Sequence, residues 1–417
     1  MRLLYDAGLR FYRFIIFCAS ISGNEKAKQW LTGRKNWELA LRHAFDKQPE
    51  NVIWFHCASL GEFEQGRPVL EKIKSNYPSH FILLTFFSPS GYEIRKNYSV
   101  ADHICYLPLD GKDTVKKFIR IVNPLAVYFV KYEFWYHYTK ELSDRNIPFF
   151  FISSHFRKNQ IFFKPYGSFF KKMLERATLL LVQNEQSAQL LRNAGMNNYK
   201  ITGDTRFDRV KSIVHDQKTL PLISAFKGTK TILIGGSTWE EDEEILLKVF
   251  AELNSEVKLI LVPHDVSPLR IKALTLQAKS ILKEEVITVY SSMNEQARVL
   301  IVDTIGILSS LYSYSSIAWI GGGFGAGIHN TLEAAAYSIP VVFGPKYHKF
   351  NEAVELINIG GGFSAQNYTD VKDVISNLLA DSAQRTTAGR LAGEYVMKNA
   401  GATEKTIQFT RSYLQKQ

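Results

Sequence analysis

Residues 318–345, AWIGGGFGAGIHNTLEAAAYSIPVVFGP, decide the fold class of this chain. An apolar strand is predicted to end at Ile320, a loop rich in glycine follows it, and a second apolar strand is predicted at 339–343. Between the two strands, a helix is predicted to carry Glu333 one turn after its start. The glycines of the loop are Gly321, Gly322, Gly323, Gly325 and Gly327.

This stretch is typical of a nucleotide site. Glycines let the backbone approach a ligand closely, and a helix that begins at His329, Asn330 and Thr331 would point free N–H groups at a phosphate. Glu333 would then accept hydrogen bonds from ribose hydroxyls. The spacing is not the Rossmann dinucleotide fingerprint, which has G-x-G-x-x-G directly before its helix. The alternative interpretation is a tight strand-to-helix turn with a packed helix behind it.

Short apolar runs alternate with helical patterns along the whole chain, which predicts an α/β fold with two doubly wound parallel sheets. The polar stretch 204–230 is predicted to be the hinge between two domains, with a ligand in the cleft that they face. Ligands of such sheets lie beyond the carboxyl ends of the strands. The predicted strands are 52–58, 81–87, 103–108, 125–130, 148–153, 178–183, 200–203, 231–235, 258–263, 285–290, 299–303, 317–321, 339–343 and 361–365.

Length and charge narrow the class of protein further. A chain of 417 residues is too long for one ordinary core and predicts two domains. A net charge of +11 and a pI near 9.3 indicate a polyanionic partner: phosphates, nucleic acid or an anionic membrane. Cys18, Cys57 and Cys105 form no disulfide framework and match no metal spacing, so a reducing compartment is expected.

The N-terminus predicts a membrane-associated segment. Residues 3–22 are apolar, but Asp6, Arg10 and Arg13 interrupt them, and the remaining run is shorter than the roughly 20 residues that a spanning helix needs. A cleaved signal peptide is not expected. The following basic run with interleaved tryptophans suits an interfacial anchor, and the alternative is an ordinary amphipathic helix packed on the body. That run contains Lys26, Lys28, Trp30, Arg34, Lys35, Trp37 and Arg42.

Residues 155–176 mix basic and aromatic side chains. Such a segment can stack on single-stranded nucleic acid or lie at a membrane interface. No nucleic-acid motif accompanies it, so the membrane interpretation is preferred and no nucleic-acid partner is expected. Its cations are Arg157, Lys158, Lys164, Lys171, Lys172 and Arg176, and its aromatic residues are Phe156, Phe162, Phe163, Tyr166, Phe169 and Phe170.

Three charged residues of the first half follow predicted strands. Glu62, in Ser59-Leu60-Gly61-Glu62, is placed at a helix start as a general base for a hydroxyl, or alternatively as a helix cap. Glu133 is either a substrate contact or a paired structural carboxylate. Arg206 is placed to bind a phosphate or carboxylate, or alternatively forms a salt bridge with Asp204 or Asp208.

In the second half, Ser237 and Thr238 offer N–H groups and hydroxyls to a phosphate, although the acidic residues at 240–244 are unusual neighbours for one. His264 ends another predicted strand and is interpreted as a ligand contact or as a solvated side chain. No acidic pair of the D-x-D kind points to a metal, and no cofactor is expected.

Taken in order, these residues are similar to the motifs of the 3-deoxy-D-manno-octulosonic acid (Kdo) transferases, and the match covers nearly the whole chain. The family's S-V-G-E appears at 59–62 and its T-E-L-W at 132–135. Its Q-N-E, its T-G-[SN]-x-K-F-D and its G-G-H-N-x-L-E-A-A appear at 183–185, 202–208 and 327–335. The chain departs from the family pattern at Arg206, His264, Asp265, Ile307 and Lys349.

The resemblance implies two Rossmann-like domains of the GT-B type, CMP-Kdo as the donor, and inversion at the transferred carbon. It implies that Glu62 is the catalytic base and that Asn330 and Glu333 belong to the nucleotide site. We expect a membrane-associated segment at 1–40, an acceptor domain at 41–208 and a CMP-Kdo domain with C-terminal helices at 209–417.

The expected acceptor is a lipid A precursor at the cytoplasmic side of the inner membrane. The donor and acceptor residues are expected to be Ser59, Gly61, Glu133, Arg206, Ser237, Thr238, His264, Gly325, His329, Asn330, Thr331 and Glu333. Two alternatives are a nucleotide-sugar epimerase of the same architecture and a non-catalytic tether for anionic lipid.

Overall fold

The computed structural model describes residues 1–216, 219–283 and 286–415. The chain forms two compact units, one made of residues 1–209 with 400–417 and the other of residues 210–399. Each unit is an α/β domain built on one seven-stranded sheet. The two units are described separately.

The first unit contains seven parallel strands. They are β1 (Ile53–Cys57), β2 (Ile82–Phe86), β3 (His103–Tyr106), β4 (Ala126–Val130), β5 (Phe149–Ser154), β6 (Leu179–Val182) and β7 (Tyr199–Ile201). The helices before and between them are α1 (Arg2–Ile21), α2 (Glu25–Thr32), α3 (Trp37–Ala44), α4 (Leu60–Asn76), α5 (Pro89–Arg95), α6 (Lys112–Val122), α7 (Tyr136–Asp144), α8 (Ser168–Glu175) and α9 (Glu185–Asn193).

The strand order of the first sheet is β3-β2-β1-β4-β5-β6-β7. This is the doubly wound order, in which the chain leaves β1 toward one side and resumes on its other side at β4. Within β1, Trp54 packs in the core on one face of the sheet, whereas Ile53 and Phe55 pack in the core on the other face. A strand that is buried on both faces has a continuous run of apolar residues in its sequence, and the apolar run at 52–58 predicted β1 for this reason.

The second unit contains β8 (Thr231–Thr238), β9 (Val257–Pro263), β10 (Ile287–Val289), β11 (Val299–Ile301), β12 (Ile317–Ile320), β13 (Val341–Phe343) and β14 (Gly362–Ser364). The helices that follow β7 are α10 (Thr205–His215), α11 (Pro221–Lys227), α12 (Glu240–Ala251), α13 (Pro268–Leu282), α14 (Leu308–Leu311), α15 (Leu332–Ala335), α16 (Asn351–Asn358), α17 (Tyr368–Ala380), α18 (Ser382–Asn399) and α19 (Ala402–Thr410).

The second sheet has the order β10-β11-β9-β8-β12-β13-β14, again fully parallel. Its order reverses between β8 and β12, as the order of the first sheet reverses between β1 and β4. Ligands of doubly wound sheets bind at the carboxyl ends of the strands at this reversal. The predicted fold class, two doubly wound α/β domains, is confirmed, and every predicted strand has a counterpart. Residue 285, the first of the strand predicted at 285–290, lies outside the described residues.

The predicted hinge at 204–230 contains two helices, α10 and α11, and the chain passes from the first unit to the second inside α10. Residues 217 and 218 of that stretch lie outside the described residues. The predicted domain at 209–417 needs a correction at its end, because residues 400–417 belong to the first unit. Asp208 accepts hydrogen bonds from the backbone N–H groups of Gly401 and Thr403, and Leu414 is buried in the core of the first sheet.

Helix α1 packs on the first unit through one stripe of side chains. Tyr5 donates a hydrogen bond to Asp110 at 2.6 Å, and Asp6 lies 2.6 Å from Nε2 of His137. The outer face of α1 exposes Leu3, Leu4, Phe11, Phe14, Ile15, Phe17 and Ile21. No helix in the described part of the chain is long and apolar enough to cross a membrane.

Two elements of the predicted membrane surface are packed inside the protein. The Arg34 guanidinium donates to the carbonyl groups of Trp30, Phe87 and Leu107, and it lies 4.0 Å from the centre of the Trp30 ring. In the 155–176 segment, Phe156 and Phe162 are buried, and Phe163 and Phe170 pack against the same core. The aromatic residues of this segment therefore serve mainly to hold the fold, with Tyr166 exposed.

Candidate functional site

Glu62 lies where the first sheet reverses. Strand β1 ends at Cys57, Ser59 precedes α4, and Glu62 stands in the first turn of that helix. Its Oε2 accepts hydrogen bonds from the backbone N–H groups of Ala58, at 2.6 Å, and Ser59, at 3.2 Å. Gly61 is exposed, and a side chain there would meet no other atom within 4 Å. The helix start is therefore open beside the carboxylate.

The surroundings of Glu62 make it a stronger base than an ordinary carboxylate. Burial, and next the charge of Glu133, raise the pKa of Glu62 to about 7, against the lowering effect of the Ala58 N–H group and of Lys131. A general base works best when its pKa lies near the operating pH. One oxygen of Glu62 caps the helix, which is the alternative interpretation of its position, and the raised pKa suits the general base that the sequence predicts.

Glu133 is the centre of a buried hydrogen-bonded network. Its Oε2 accepts a hydrogen bond from Nε1 of Trp135 at 2.9 Å and lies 3.0 Å from Nε2 of His56. The other ring nitrogen of His56 lies 2.9 Å from Oγ1 of Thr85. Glu133 is therefore a paired structural carboxylate whose charge also acts on Glu62. His56 was missed by sequence reasoning, because a histidine inside an apolar strand gives no sign of its partner 77 residues away.

Arg206 forms the salt bridge that was the alternative interpretation. Its Nε and Nη2 each lie 2.8 Å from Oδ2 of Asp204, and its backbone N–H donates to Oδ1 of the same residue. Asp204 is buried, so this pair holds the start of α10 against the first unit. Phosphate binding by Arg206 would have to compete with this carboxylate.

In the second unit, the glycine loop after β12 passes close to the ends of two neighbouring strands. A side chain at Gly321 would collide with the backbone of Ser237 and Thr238 at the end of β8. A side chain at Gly323 would begin 2.6 Å from Cα of Gly344, just after β13. These two glycines are required for the close approach of backbone to backbone. A side chain begun at Gly325 would meet only the carbonyl oxygen of Gly322, at 3.7 Å, so of the glycines in this loop Gly325 leaves the most room for a ligand.

The helix predicted after this loop is a single turn, α15, so its dipole is weak. The backbone N–H of His329 donates to the carbonyl of Gly321 at 3.1 Å and is not free for a phosphate. Thr331 is fully buried, and its hydroxyl has no hydrogen-bond partner within the described residues. Asn330 donates from Nδ2 to Oε1 of Glu333 at 2.9 Å, so these two predicted nucleotide contacts form one unit.

Two of the acidic residues that follow β8 hold the turn at the end of that strand. Oδ2 of Asp242 accepts hydrogen bonds from the backbone N–H groups of Trp239 and Gly322, which ties the turn after β8 to the glycine loop. Glu243 accepts a hydrogen bond from Oγ1 of Thr238 at 2.9 Å and pairs with Arg270. Both carboxylates are buried and hold the turn together. Thr238 is thereby engaged, and Ser237 has a left-handed backbone with φ of 53°.

Three rings form a cluster beside the glycine loop. Nε1 of Trp239 donates a hydrogen bond to Nε2 of His329 at 3.1 Å, and the two rings lie within 10° of coplanar. The ring of His264 stacks on both of them, with centroid distances of 4.7 Å. Burial and next the neighbouring His264 lower the pKa of His329. Since an indole N–H only donates, His329 is a neutral acceptor at Nε2. Trp239 was missed by sequence reasoning.

Comparison with known proteins identifies relatives of the whole chain. The sequence profile of 3-deoxy-D-manno-octulosonic-acid transferase (kdotransferase) matches residues 35–209. The 3-deoxy-D-manno-octulosonic acid transferase of Aquifex aeolicus is 30% identical over 380 residues, which cover 89% of this chain and 94% of that protein. The protein of the same name from Haemophilus influenzae is 27% identical over 403 residues, with 92% and 93% covered.

Solved structures show the same architecture. UDP-GlcNAc 2-epimerase from Neisseria meningitidis bound to UDP-GlcNAc aligns with a TM-score of 0.64 at 13% identity, covering 87% of this chain and 100% of that one. MnaA of S. aureus with UDP aligns with a TM-score of 0.59 at 15% identity, covering 87% and 97%. At such low identity the likeness shows the fold alone, which is that of the two-domain GT-B type.

Proposed function

This chain belongs to the 3-deoxy-D-manno-octulosonic acid transferase family, and from that premise we propose that it moves Kdo from CMP-Kdo to a sugar hydroxyl of lipid IVA, a lipid A precursor. It is a glycosyltransferase of lipopolysaccharide biosynthesis. The observation that carries the proposal is Glu62, a half-buried carboxylate with a raised pKa at the reversal of the first sheet. No cofactor is part of the proposal.

In the proposed reaction, Glu62 accepts the proton of the acceptor hydroxyl while the hydroxyl oxygen attacks the anomeric carbon of Kdo. The new carbon–oxygen bond forms as the bond from that carbon to the CMP phosphate breaks, and CMP leaves with the bonding electrons. Attack opposite the leaving group inverts the configuration at the carbon. Both hydrogen bonds of Glu62 fall on Oε2, and within the described residues Oε1 accepts none, so Oε1 is placed to take the proton.

The second unit is proposed to hold the donor. The Asn330–Glu333 pair lies directly after the glycine loop, and Glu333 can accept hydrogen bonds from ribose hydroxyls. Ser237, at the end of β8, and His264, directly after β9, lie at the carboxyl ends of neighbouring strands, and β8 is also the neighbour of β12, which the glycine loop follows. Ligands of doubly wound sheets bind at this edge, which supports the assignment.

We further propose that the protein works at the cytoplasmic face of the inner membrane, attached through α1. Its inner stripe packs on the first unit, while the apolar side chains named above remain exposed on the rest of its surface, with the exposed Arg10 and Arg13 among them. So many exposed apolar side chains on one helix are typical of a surface that binds a membrane or a partner. The headgroup region of a membrane would cover the outer face, and the acceptor would reach Glu62 without leaving the bilayer.

To test the proposal, the purified protein is incubated with CMP-Kdo and lipid IVA, and the lipid product is analysed by mass spectrometry. The proposal expects a mass increase of Kdo units on the lipid and release of CMP, both lost in Glu62→Gln. Conversion of a nucleotide sugar in the absence of any acceptor would instead support the epimerase alternative. Binding of lipid IVA without turnover would support the tether.

A further inference from the structure

Lys131 has a backbone conformation that its residue type rarely adopts. It directly follows β4 and has φ of 60°, in the left-handed region. Such a conformation is strained for a non-glycine residue, and residues that carry this strain cluster at functional sites. The surrounding structure holds Lys131 in place, because its N–H donates to the carbonyl of Ile152 and its own carbonyl accepts from the Ser154 hydroxyl.

The strained position adjoins the proposed base. Helix α4, which carries Glu62 in its first turn, crosses the end of β4 at Gly66, where a side chain would begin 2.7 Å from Cγ2 of Val130. Lys131 is the residue directly after β4, and β4 pairs in parallel with β1, whose end is followed by the Ala58 and Ser59 N–H groups that bind Glu62. The two strand ends therefore bring Lys131 and Glu62 to the same edge of the sheet, and the positive charge of Lys131 opposes the effect of burial and of Glu133 on the pKa of Glu62.

Without Lys131, the charges around Glu62 would disfavour its ionised form. Glu133 carries a second carboxylate at the same strand ends, and its hydrogen bonds come from His56 and Trp135. The other titratable groups that Glu62 affects are the Cys57 thiol and the Tyr132 phenol, whose pKa values are raised by burial and which are uncharged at neutral pH. On α4 itself, Glu64 is paired with Arg95 and Arg209. Arg206 is paired with Asp204, and burial and next Arg157 lower the pKa of His155.

We propose that Lys131 is a positioning residue for the transfer reaction, whose ammonium group keeps Glu62 an anion beside Glu133 so that Glu62 can accept the acceptor proton. This inference rests on the proposed function of Glu62. It explains why a strained lysine stands at this strand end, where glycine or asparagine would fit the backbone at lower cost. Lys131 acts through Glu62 and need not touch either substrate.

The test is the pH dependence of kcat in three variants. Lys131→Asn tolerates the left-handed backbone and removes the charge, Lys131→Gly relieves the strain and also removes the charge, and Lys131→Arg keeps the charge. An opposite charge nearby changes a carboxyl pKa by about 1–3 units. We therefore expect the acidic limb to move up by about one pH unit in the Asn and Gly variants. At pH 7 their turnover should fall about fivefold, while at pH 9 it should approach that of the wild type.

One control variant and two contrary outcomes separate the effect of the Lys131 charge from other causes of a changed pH profile. Lys140→Asn removes a lysine from the exposed face of α7, where it pairs with Asp144, and should leave the profile in place. An unshifted profile in Lys131→Asn, or an equal shift in Lys131→Arg, would overturn the inference while leaving the proposed function intact. Full turnover in Glu62→Gln would overturn the proposed function itself, so the two failures are distinguishable.

Discussion

The backbone N–H of Ala58 donates a hydrogen bond to Oε2 of Glu62 at 2.6 Å. This bond joins the end of β1 to the first turn of α4 and fixes the direction of the carboxylate. A glutamine at position 62 can accept the same hydrogen bond through its amide oxygen but cannot take up a proton at neutral pH. Capping and catalysis can therefore be separated by a single substitution.

Glu62→Gln should lower turnover by at least ~10²-fold and leave CMP affinity and thermal stability near those of the wild type. The measurement is single-turnover Kdo transfer, together with calorimetry for CMP. The matched control is Asp370→Asn, because Asp370 also accepts a backbone N–H at the start of a helix, that of Gln366 before α17. Turnover near the wild-type value in Glu62→Gln would contradict the assignment of the base.

Because of the ionisation of Glu62, kcat should rise with pH, whereas the contribution of Glu62 to the free energy of unfolding should fall with pH. Transfer needs the ionised carboxylate, so kcat should fall as the pH drops through about 7. A carboxyl group whose pKa is raised by folding binds its proton more tightly in the native state. It therefore stabilises the fold below its ordinary pKa, and this contribution is lost as the pH rises through about 7. Denaturant unfolding from pH 5 to 8 should show this loss in the wild type and a smaller one in Glu62→Gln.

The strands were predictable because burial on both faces leaves a plain signal. Ile53–Cys57 and Val257–Pro263 are fully buried runs in which almost every residue is apolar, bounded by polar turns. The position of Glu62 was predictable for the same reason, since the third residue of a helix that follows such a strand lies at the carboxyl edge of the sheet.

The remaining site features depend on contacts between residues far apart in the chain. Asp242 binds Gly322 across 80 residues, and no local pattern distinguishes it from the exposed acids beside it on α12. The point at which the chain returns to the first unit, residue 400, depends on Asp208, whose two partners lie more than 190 residues away. Four of the five phenylalanines of 155–176 lie in the core or pack against it, which their alternation with lysines concealed.

Asn330 and Glu333 should act as one unit in CMP binding. Glu333→Ala should weaken CMP binding by about 1.5–3 kcal/mol, the range for hydrogen bonds to a charged group. Asn330→Ala should also weaken it, and the double variant should lose less than the sum, because Asn330 holds Oε1 of Glu333. Calorimetry measures all three, with the exposed Glu355→Ala on α16 as the control. Unchanged CMP affinity in Glu333→Ala would place the donor elsewhere.

Trp239 should control the protonation of His329. The indole hydrogen bond needs a neutral imidazole, and loss of that bond removes a contact that favours the neutral form. In Trp239→Phe the stack is retained, and the midpoint of His329 should rise from its lowered value toward the ordinary range. Histidine ring NMR across pH 5 to 8 measures this, with His329→Gln to assign the signal. His264→Asn should also raise the midpoint, because it removes the neighbouring imidazole. A midpoint unchanged in both variants would contradict this account of the ring cluster.

Attachment through α1 should depend on its outer face. Phe14 and Phe17 are exposed by 60% and 51%, whereas Tyr5 and Asp6 hold the inner stripe through their contacts with Asp110 and His137. Burying each ring in a membrane interface is worth up to about 1.5–3 kcal/mol, so Phe14→Ser with Phe17→Ser should weaken binding to anionic liposomes at least ~10-fold. The docked stripe is unchanged, so thermal stability should be unchanged too.

The control for that experiment is Leu269→Ser with Leu276→Ser on α13, which removes two apolar side chains of the second unit that are exposed by 83% and 59%. This pair should sediment with liposomes as the wild type does. Neutralising Lys164, Lys171 and Lys172 should weaken binding further and mostly in low salt, because each cation near an anionic surface contributes about 1 kcal/mol and is screened by ions. If the phenylalanine and lysine changes combined leave sedimentation intact in low salt, neither surface faces the membrane, and the acceptor must reach Glu62 by another route.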